Sequence, residues 1–456
     1  MTAPTDPAAT TEPGRAPGGS DVGAWHRLHP LSPVVRTGRA LLPVLLVLAA
    51  PALTGTDREN GLWHLAGAVL VAVAGVVSWL VTRWRVEGAT LRIESGLLRR
   101  ESQRVPLAQV QAVDIIRPGI ARAIGLAEVR LRTAAGSGDA GRLAYLRVQE
   151  AERVRAQLLA LAHGVAEDAP APPEWPLYVQ PVGRLLASVV LSRPFGVLAA
   201  LCIAIAVTMA FSPGVAGGIA GGSVAYLLGV ATLVWRRFND GWGLHVGEAA
   251  DGLRTRSGAL ETTAETIPRG RVQAVVLTRP LALRPMGWRR LQLDVAGQVK
   301  SREERQSGTR ELRTVVPAGE AADVQRLLDR VLPDRPTVLR PPPPRARWKS
   351  PLSYHWLGFG WNASALAVTG GRVTHRTVWV PLAKVQSLRL SQGPVQRRLR
   401  LATVHVDAAG RRVTASVRNR DAEEAQRLLA ELAEACRAAR QPVHALTAPR
   451  GPAAAG

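Results

Sequence analysis

The chain has 456 residues and a formal net charge of +23, a length that suits about three domains. Its two cysteines, Cys202 and Cys436, form no CxxC and no zinc-ligand spacing, which excludes a disulfide framework and a cysteine metal site. Of the 58 basic residues only Lys300, Lys349 and Lys384 are lysines; the arginine bias fits a GC-rich codon usage and also a preference for phosphate, which guanidinium grips with two parallel hydrogen bonds.

Residues 1–24 are rich in Ala, Pro, Thr and Gly and lack the basic start and apolar core of a signal peptide, so they read as a disordered tail. Residues 25–82 read as a first membrane hairpin, with spans at 40–56 and 62–82 and the polar turn Asp57-Arg58-Glu59-Asn60 between them. Residues 83–163 read as a first strand-rich module and 164–193 as a linker. Pro194 to Trp235 contains no Asp, Glu, Lys or Arg and is broken at Ser212-Pro213-Gly214, predicting a second hairpin with spans at 195–211 and 217–235. A second module follows at 236–333, a Pro/Arg-rich linker at 334–347, a third module at 348–440 and a second tail at 441–456. Arginines flank both hairpins on their outer sides (Arg36, Arg39, Arg83, Arg85; Arg184, Arg193, Arg236, Arg237). The positive-inside rule then puts both termini and all three modules on the cytoplasmic face of the cell membrane.

The three modules are copies of one unit. Gly96, Gly258 and Gly371 each end a short alternating run, and ten residues later stands Pro106, Pro268 or Pro381. Each proline opens the phrase P-x-x-x-V-Q, which supplies Val110 and Gln111, Val272 and Gln273, and Val385 and Gln386. Fifteen residues past each glutamine comes Leu126, Trp288 or Leu401, followed by a strand-like alternation. In copy one the strands are predicted at Thr90 to Glu94, Gln103 to Val105, Val110 to Ile116, Glu128 to Arg132 and Ala144 to Val148. An amphipathic helix closes each copy, marked by Val154/Leu158/Leu161, Val324/Leu327/Leu328/Val331 and Ala425/Leu428/Leu429/Leu432/Cys436. Glu150, Glu320 and Asp421 stand at the helix starts, where the dipole favours a carboxylate. The repeated prolines, valines and glutamines are expected to be structural.

This order resembles the bacterial PH-domain membrane proteins of the YdbS/YdbT type. The P-[LR]-x-x-V-Q phrase carries the resemblance, together with Gly125-Leu126, Gly287-Trp288, Arg400-Leu401 and the motif Leu28-His29-Pro30-Leu31-Ser32-Pro33 before the first span. It implies a multi-domain α+β membrane protein: two transmembrane helical hairpins (four helices) and three PH-like antiparallel β-sandwich or barrel modules, each capped by a C-terminal helix. It implies little about activity.

No nucleophile elbow, phosphate loop, HExxH or metal-ligand spacing occurs. The expectation is a non-enzymatic protein without cofactor or metal. The modules carry net charges of +6, +5 and +11 in chain order. Arg99, Arg100 and Arg104 in copy one, and Arg372 and Arg376 in copy three, are the candidates for anionic lipid headgroups. The aromatic run Tyr354 to Trp361 reads either as the first strand of copy three or as an interfacial anchor. Membrane lipids are the expected partners, with envelope proteins or self-association as the alternative. Nucleic acid is not expected, because the modules lack regularly placed stacking aromatics.

Overall fold

The structure is a computed structural model that describes residues 25–32, 73, 77, 80–87, 90–95, 101–133, 142–163, 174–211, 213–249, 252–296, 312–408 and 413–441. The chain forms two compact units, Met1–Ala108 and Gln109–Gly456. The expected span at 40–56, and that at 62–82 except residues 73, 77 and 80–82, lie outside the described residues.

The first unit contains one antiparallel sheet in the order β1 (His26–Arg27), β2 (Arg83–Glu87), β3 (Thr90–Ser95), β4 (Glu101–Pro106). Trp84, Val86, Leu91, Ile93 and Val105 are buried. They recur with period two along each strand, as one buried sheet face requires.

The second unit begins with β5 (Val110–Arg117), α1 (Gly119–Ala123), β6 (Leu126–Thr133), β7 (Arg142–Arg147) and α2 (Val148–His163). It continues with β8 (Trp175–Val179), α3 (Val182–Val190), α4 (Arg193–Phe211) and α5 (Pro213–Gly241). Module two is β9 (His245–Ala249), β10 (Gly252–Ser257), β11 (Thr262–Ile267), β12 (Val272–Pro280), β13 (Arg289–Val295), β14 (Arg313–Gly319) and α6 (Ala321–Val331). Module three follows α7 (Ala346–Lys349): β15 (Gly358–Trp361), β16 (Ala365–Gly370), β17 (Thr374–Pro381), β18 (Val385–Ser391), α8 (Pro394–Arg398), β19 (Leu401–Ala408), β20 (Thr414–Asp421) and α9 (Ala422–Arg440).

The repeated phrase has one structural meaning. Its proline lies at the end of a strand, its three variable residues form a 3-10 turn (Leu107–Gln109, Arg269–Arg271, Leu382–Lys384), and its valine begins the next strand. The glutamine is the bulge residue in every copy, because the register with the following strand shifts between Val110 and Ala112, Val272 and Ala274, and Val385 and Ser387. A bulge bends its strand and strengthens the local twist. Its side chain is not held in common: Gln273 is buried and Gln386 is exposed. The second repeated position, one residue before Leu126, Trp288 and Leu401, has positive φ in all copies: Gly125 at 71°, Gly287 at 69° and Arg400 at 51°.

The modules do not keep their strands to themselves. One sheet has the order β7-β6-β5-β11-β10-β9-β8 and another β14-β13-β12-β17-β16-β15, while β18-β19-β20 stand apart. The last three strands of each earlier copy are thus joined edge to edge with the first three of the next. The physical reason is that β5 and β12 each offer a free row of backbone donors and acceptors that must find partners once buried. Val276 and Ala274 of β12 accordingly pack in the core of module three, with Phe359, Leu366, Val380, Val404, Val417, Leu428 and Leu432. The opposite face of β12, Val275 and Leu277, packs in the core of module two with Leu291, Leu293, Val316, Val324 and Leu327.

The segment expected as a linker, 164–193, contains β8, which adds an edge to module two, and α3. The buried Tyr178 hydroxyl of β8 donates toward Ala318 O and Gln180 Oε1. Helix α3 buries Leu185, Ser188 and Val189, while Arg184 bonds Glu320. Where four spans are expected, the described residues contain one helix long and apolar enough to cross a membrane: α4, with a mean hydropathy of 2.3 and no buried residue. Helix α5 packs against α4 and runs unbroken for 29 residues from Pro213. The proline is tolerated because it stands at the first helical position, where its missing N–H has no partner to lose.

Candidate cationic site

The site is built at the end of the sheet where β12 runs out and β17 begins. Arg279 lies opposite His375, Thr278 opposite Arg376, and Pro280 opposite Thr374. The hairpin that leads into β17 turns at Gly371, whose φ is 94° and whose missing Cβ would lie 2.2 Å from Thr374 O. Only glycine fits that turn. On the other side, β12 passes into the 3-10 turn Leu281–Leu283, which delivers Arg284.

Arg284 ties the two copies together. Its Nη2 donates to Arg372 O at 2.6 Å, and its guanidinium carbon stands 4.9 Å from the centre of the Trp356 ring. Trp356 in turn lies 5.2 Å from the His375 ring, and His375 Nε2 is 3.2 Å from Thr369 Oγ1. Arg193, the first residue of α4, donates from Nη2 to Thr374 Oγ1 at 3.4 Å. The start of the apolar helix is therefore fastened to the rim of the module two–three sheet.

The charge is one-sided. Among the described residues, no carboxylate pairs with Arg193, Arg279, Arg284, Arg289, Arg372 or Arg376, whereas Arg184, Arg313, Arg335 and Arg420 each have an acidic partner. Burial holds the His375 imidazole below its usual value, and the Arg279 and Arg284 charges push it the same way. Burial lowers Arg279 as well, with Arg289 and Arg284 adding to it, and burial alone lowers Arg376. Among the described residues, the buried Arg279 Nε and Arg376 Nε have no hydrogen-bond partner. Like charges brought together without carboxylate partners leave a one-signed rim, and guanidinium groups favour anions with several acceptor oxygens. Around the cations stand the exposed apolar side chains Leu281, Met286 and Val373.

Two of the residues selected from sequence, Arg372 and Arg376, belong to this rim. Arg372 is exposed and Arg376 partly buried. Arg104 is exposed on β4 in the other unit, and Arg99 and Arg100 lie outside the described residues. Sequence reasoning named Arg193 only as a hairpin flank and missed Arg279, Arg284, Arg289 and His375. Their positions on β12 and beside α4 gave no sign of meeting, because the pairing that unites them joins different copies. Trp356 precedes β15 in the turn Tyr354–Trp356, so the first strand of copy three takes up only the end of the aromatic run. Among the described residues no group of three His, Cys, Asp or Glu could hold a metal ion.

The bacterial PH-domain family model matches three stretches, residues 40–162, 183–332 and 345–435. No curated protein matches the chain.

Proposed function

The chain belongs to the bacterial PH-domain family, and from that premise we propose that it is a non-enzymatic integral membrane scaffold whose β12–β17 rim engages the phosphates of anionic lipids. The observation that carries this reading is the set of arginines without carboxylate partners, joined through Arg193 to the first turn of α4. Helix α4 has 19 residues, about 28 Å at 1.5 Å per residue, close to the hydrocarbon thickness of roughly 30 Å. A helix of that composition with no buried residue has lipid as its natural surroundings. Helix α3 supports the same reading. Its exposed face, Val182, Leu186 and Val190, repeats every four residues opposite the face seated on module two, which suits a helix lying in the headgroup layer. Leu281, Met286 and Val373 would dip beside it while the arginines hold phosphate. Arg193 at the start of α4, and Arg236 and Arg237 near the end of α5, favour modules on the cytoplasmic side.

A native-mass titration of the full chain in mild detergent with phosphatidylglycerol and phosphatidylcholine tests the lipid reading. Each juxtamembrane cation contributes about 1 kcal/mol, so Arg279→Gln, Arg284→Gln and Arg372→Gln together should weaken phosphatidylglycerol binding about 100-fold and leave phosphatidylcholine binding unchanged. Equal binding of the two lipids by the unsubstituted chain refutes it. Alkaline carbonate washing tests the membrane reading separately, and release of the chain into the supernatant refutes that. A second reading, a platform for protein partners or for further copies of itself, is favoured by the exposed edge of β18.

A further inference from the structure

The two internal junctions follow one rule. At the first, Thr262, Thr263 and Ala264 of β11 lie opposite Arg117, Ile116 and Ile115 of β5. At the second, His375, Arg376 and Thr377 of β17 lie opposite Arg279, Thr278 and Leu277 of β12. Counted from the repeated phrase, the register is the same. The residue four before the proline faces the residue five after the valine: Ala264 with Ile115, and Thr377 with Leu277. One partner always ends at the phrase and the other always begins from it.

The same two strands occur a third time without meeting. Among the described residues, β4, which ends at Pro106, is paired with β3 alone, and β18, which begins at Val385, is paired with β19 alone. Their exposure differs accordingly. Val272 through Thr278 of β12 are all buried, as are Val113 through Ile116 of β5. In β18, Gln386, Ser387, Arg389, Leu390 and Ser391 are exposed. On β4, Ser102 and Arg104 are exposed. Polarity does not disqualify either strand. β11 reads Thr-Thr-Ala-Glu-Thr-Ile and is paired nonetheless. Asp114, at the place in β5 that Arg389 occupies in β18, is buried within the first junction and accepts the Thr266 amide at 3.4 Å. An uncovered strand edge presents a row of unpaired donors and acceptors that a further strand can complete.

We propose that β18 of one copy of this chain pairs antiparallel with β4 of a second copy, extending the internal junctions from molecule to molecule. The shared register places Leu390 opposite Ser102 and Arg389 opposite Gln103. The contact is head to tail, so it closes into a ring or continues as an open row according to the rotation it imposes.

Cysteine pairing tests this in the full-length chain, in membranes, on a Cys202→Ser and Cys436→Ala background. Two differently tagged chains, one carrying Ser102→Cys and the other Leu390→Cys, are co-expressed and oxidised. Facing residues of an antiparallel pair have Cα atoms about 4.5–5.5 Å apart, within disulfide reach. A disulfide-linked heterodimer is expected, at a yield at least about fivefold above Ser102→Cys with Arg389→Cys, because a one-residue shift turns the two thiols to opposite faces. Equal yields, no cross-link, or a chain with both cysteines that closes only on itself at monomer mass would overturn the proposal. The unsubstituted chain provides a check that needs no variant: its native mass in mild detergent should show more than one copy, and a monomer at every concentration overturns the proposal as well.

Discussion

The two internal junctions share a register and little else. Where β5 meets β11, the incoming strand is a run of threonines with Glu265, and the buried Asp114 accepts a backbone amide from it. Where β12 meets β17, the strands are apolar, with Val275 opposite Trp379 and Val276 opposite Val378, and a ring of arginines closes the end. The backbone ladder therefore fixes how the copies join, and the side chains at the join are free to take on copy-specific work. The copies differ at Arg279, Arg284 and His375, which lie outside the phrase they share.

The comparison breaks most sharply at Val276, which is 1% exposed in the core of module three although it belongs to a strand of module two. Val276→Asp buries an unpaired charge there, and should cost about 4 kcal/mol in denaturant unfolding and open the 334–347 connection to protease. The polar junction should respond less. Asp114→Ala removes one acceptor and leaves the Thr266 amide short of a partner, a loss of about 2 kcal/mol. Equal losses at the two sites would mean that the apolar and polar joins do not differ in strength.

A smaller effect sharpens the electrostatic side. The folded-state value of His375 lies below its unfolded value of 6.5, so above that pH both states are neutral and nothing is lost. As pH falls through 6.5, the unfolded chain takes up the proton first and stability declines until the folded value is reached. Unfolding measured from pH 7 to pH 5 should show this slope, and His375→Gln should flatten it. A bound phosphate stabilises the imidazolium, so anionic lipid should bind more tightly toward low pH. The smallest effect is at Arg400, where a non-glycine residue holds the φ of 51° that Gly125 and Gly287 supply in the other copies. Arg400→Gly relieves the left-handed strain and should raise stability by about 0.5 kcal/mol.

Much of each copy was legible in the sequence. Alternation in Val110 to Ile116 and Glu128 to Arg132 places strands that the structure extends by a residue or two, to Val110–Arg117 and Leu126–Thr133. Of the amphipathic pattern Ala425, Leu428, Leu429, Leu432 and Cys436, all but Leu429, which is partly buried, form the buried face of α9. β2 was missed, because Arg83-Trp84-Arg85 imitates the flank of a membrane span. β8 was missed as well, because Pro176 interrupts its alternation at a place where an edge strand tolerates proline. Of the cationic site, Arg372 and Arg376 could be named because they flank a visible hairpin. Arg279 and Arg284 could not, since they belong to another copy about a hundred residues away in sequence.

That one strand-rich unit is repeated three times, where each unit turns, and which side chains face inward are written in the sequence, because side-chain period and turn chemistry are local properties of the chain. Tertiary structure alone decided that neighbouring copies share their sheets, that β12 serves two cores, and that arginines from modules two and three meet beside the first turn of α4. Edge pairing is made by backbone donors and acceptors that every residue but proline presents alike, so no pattern of side chains announces which edge a strand will take.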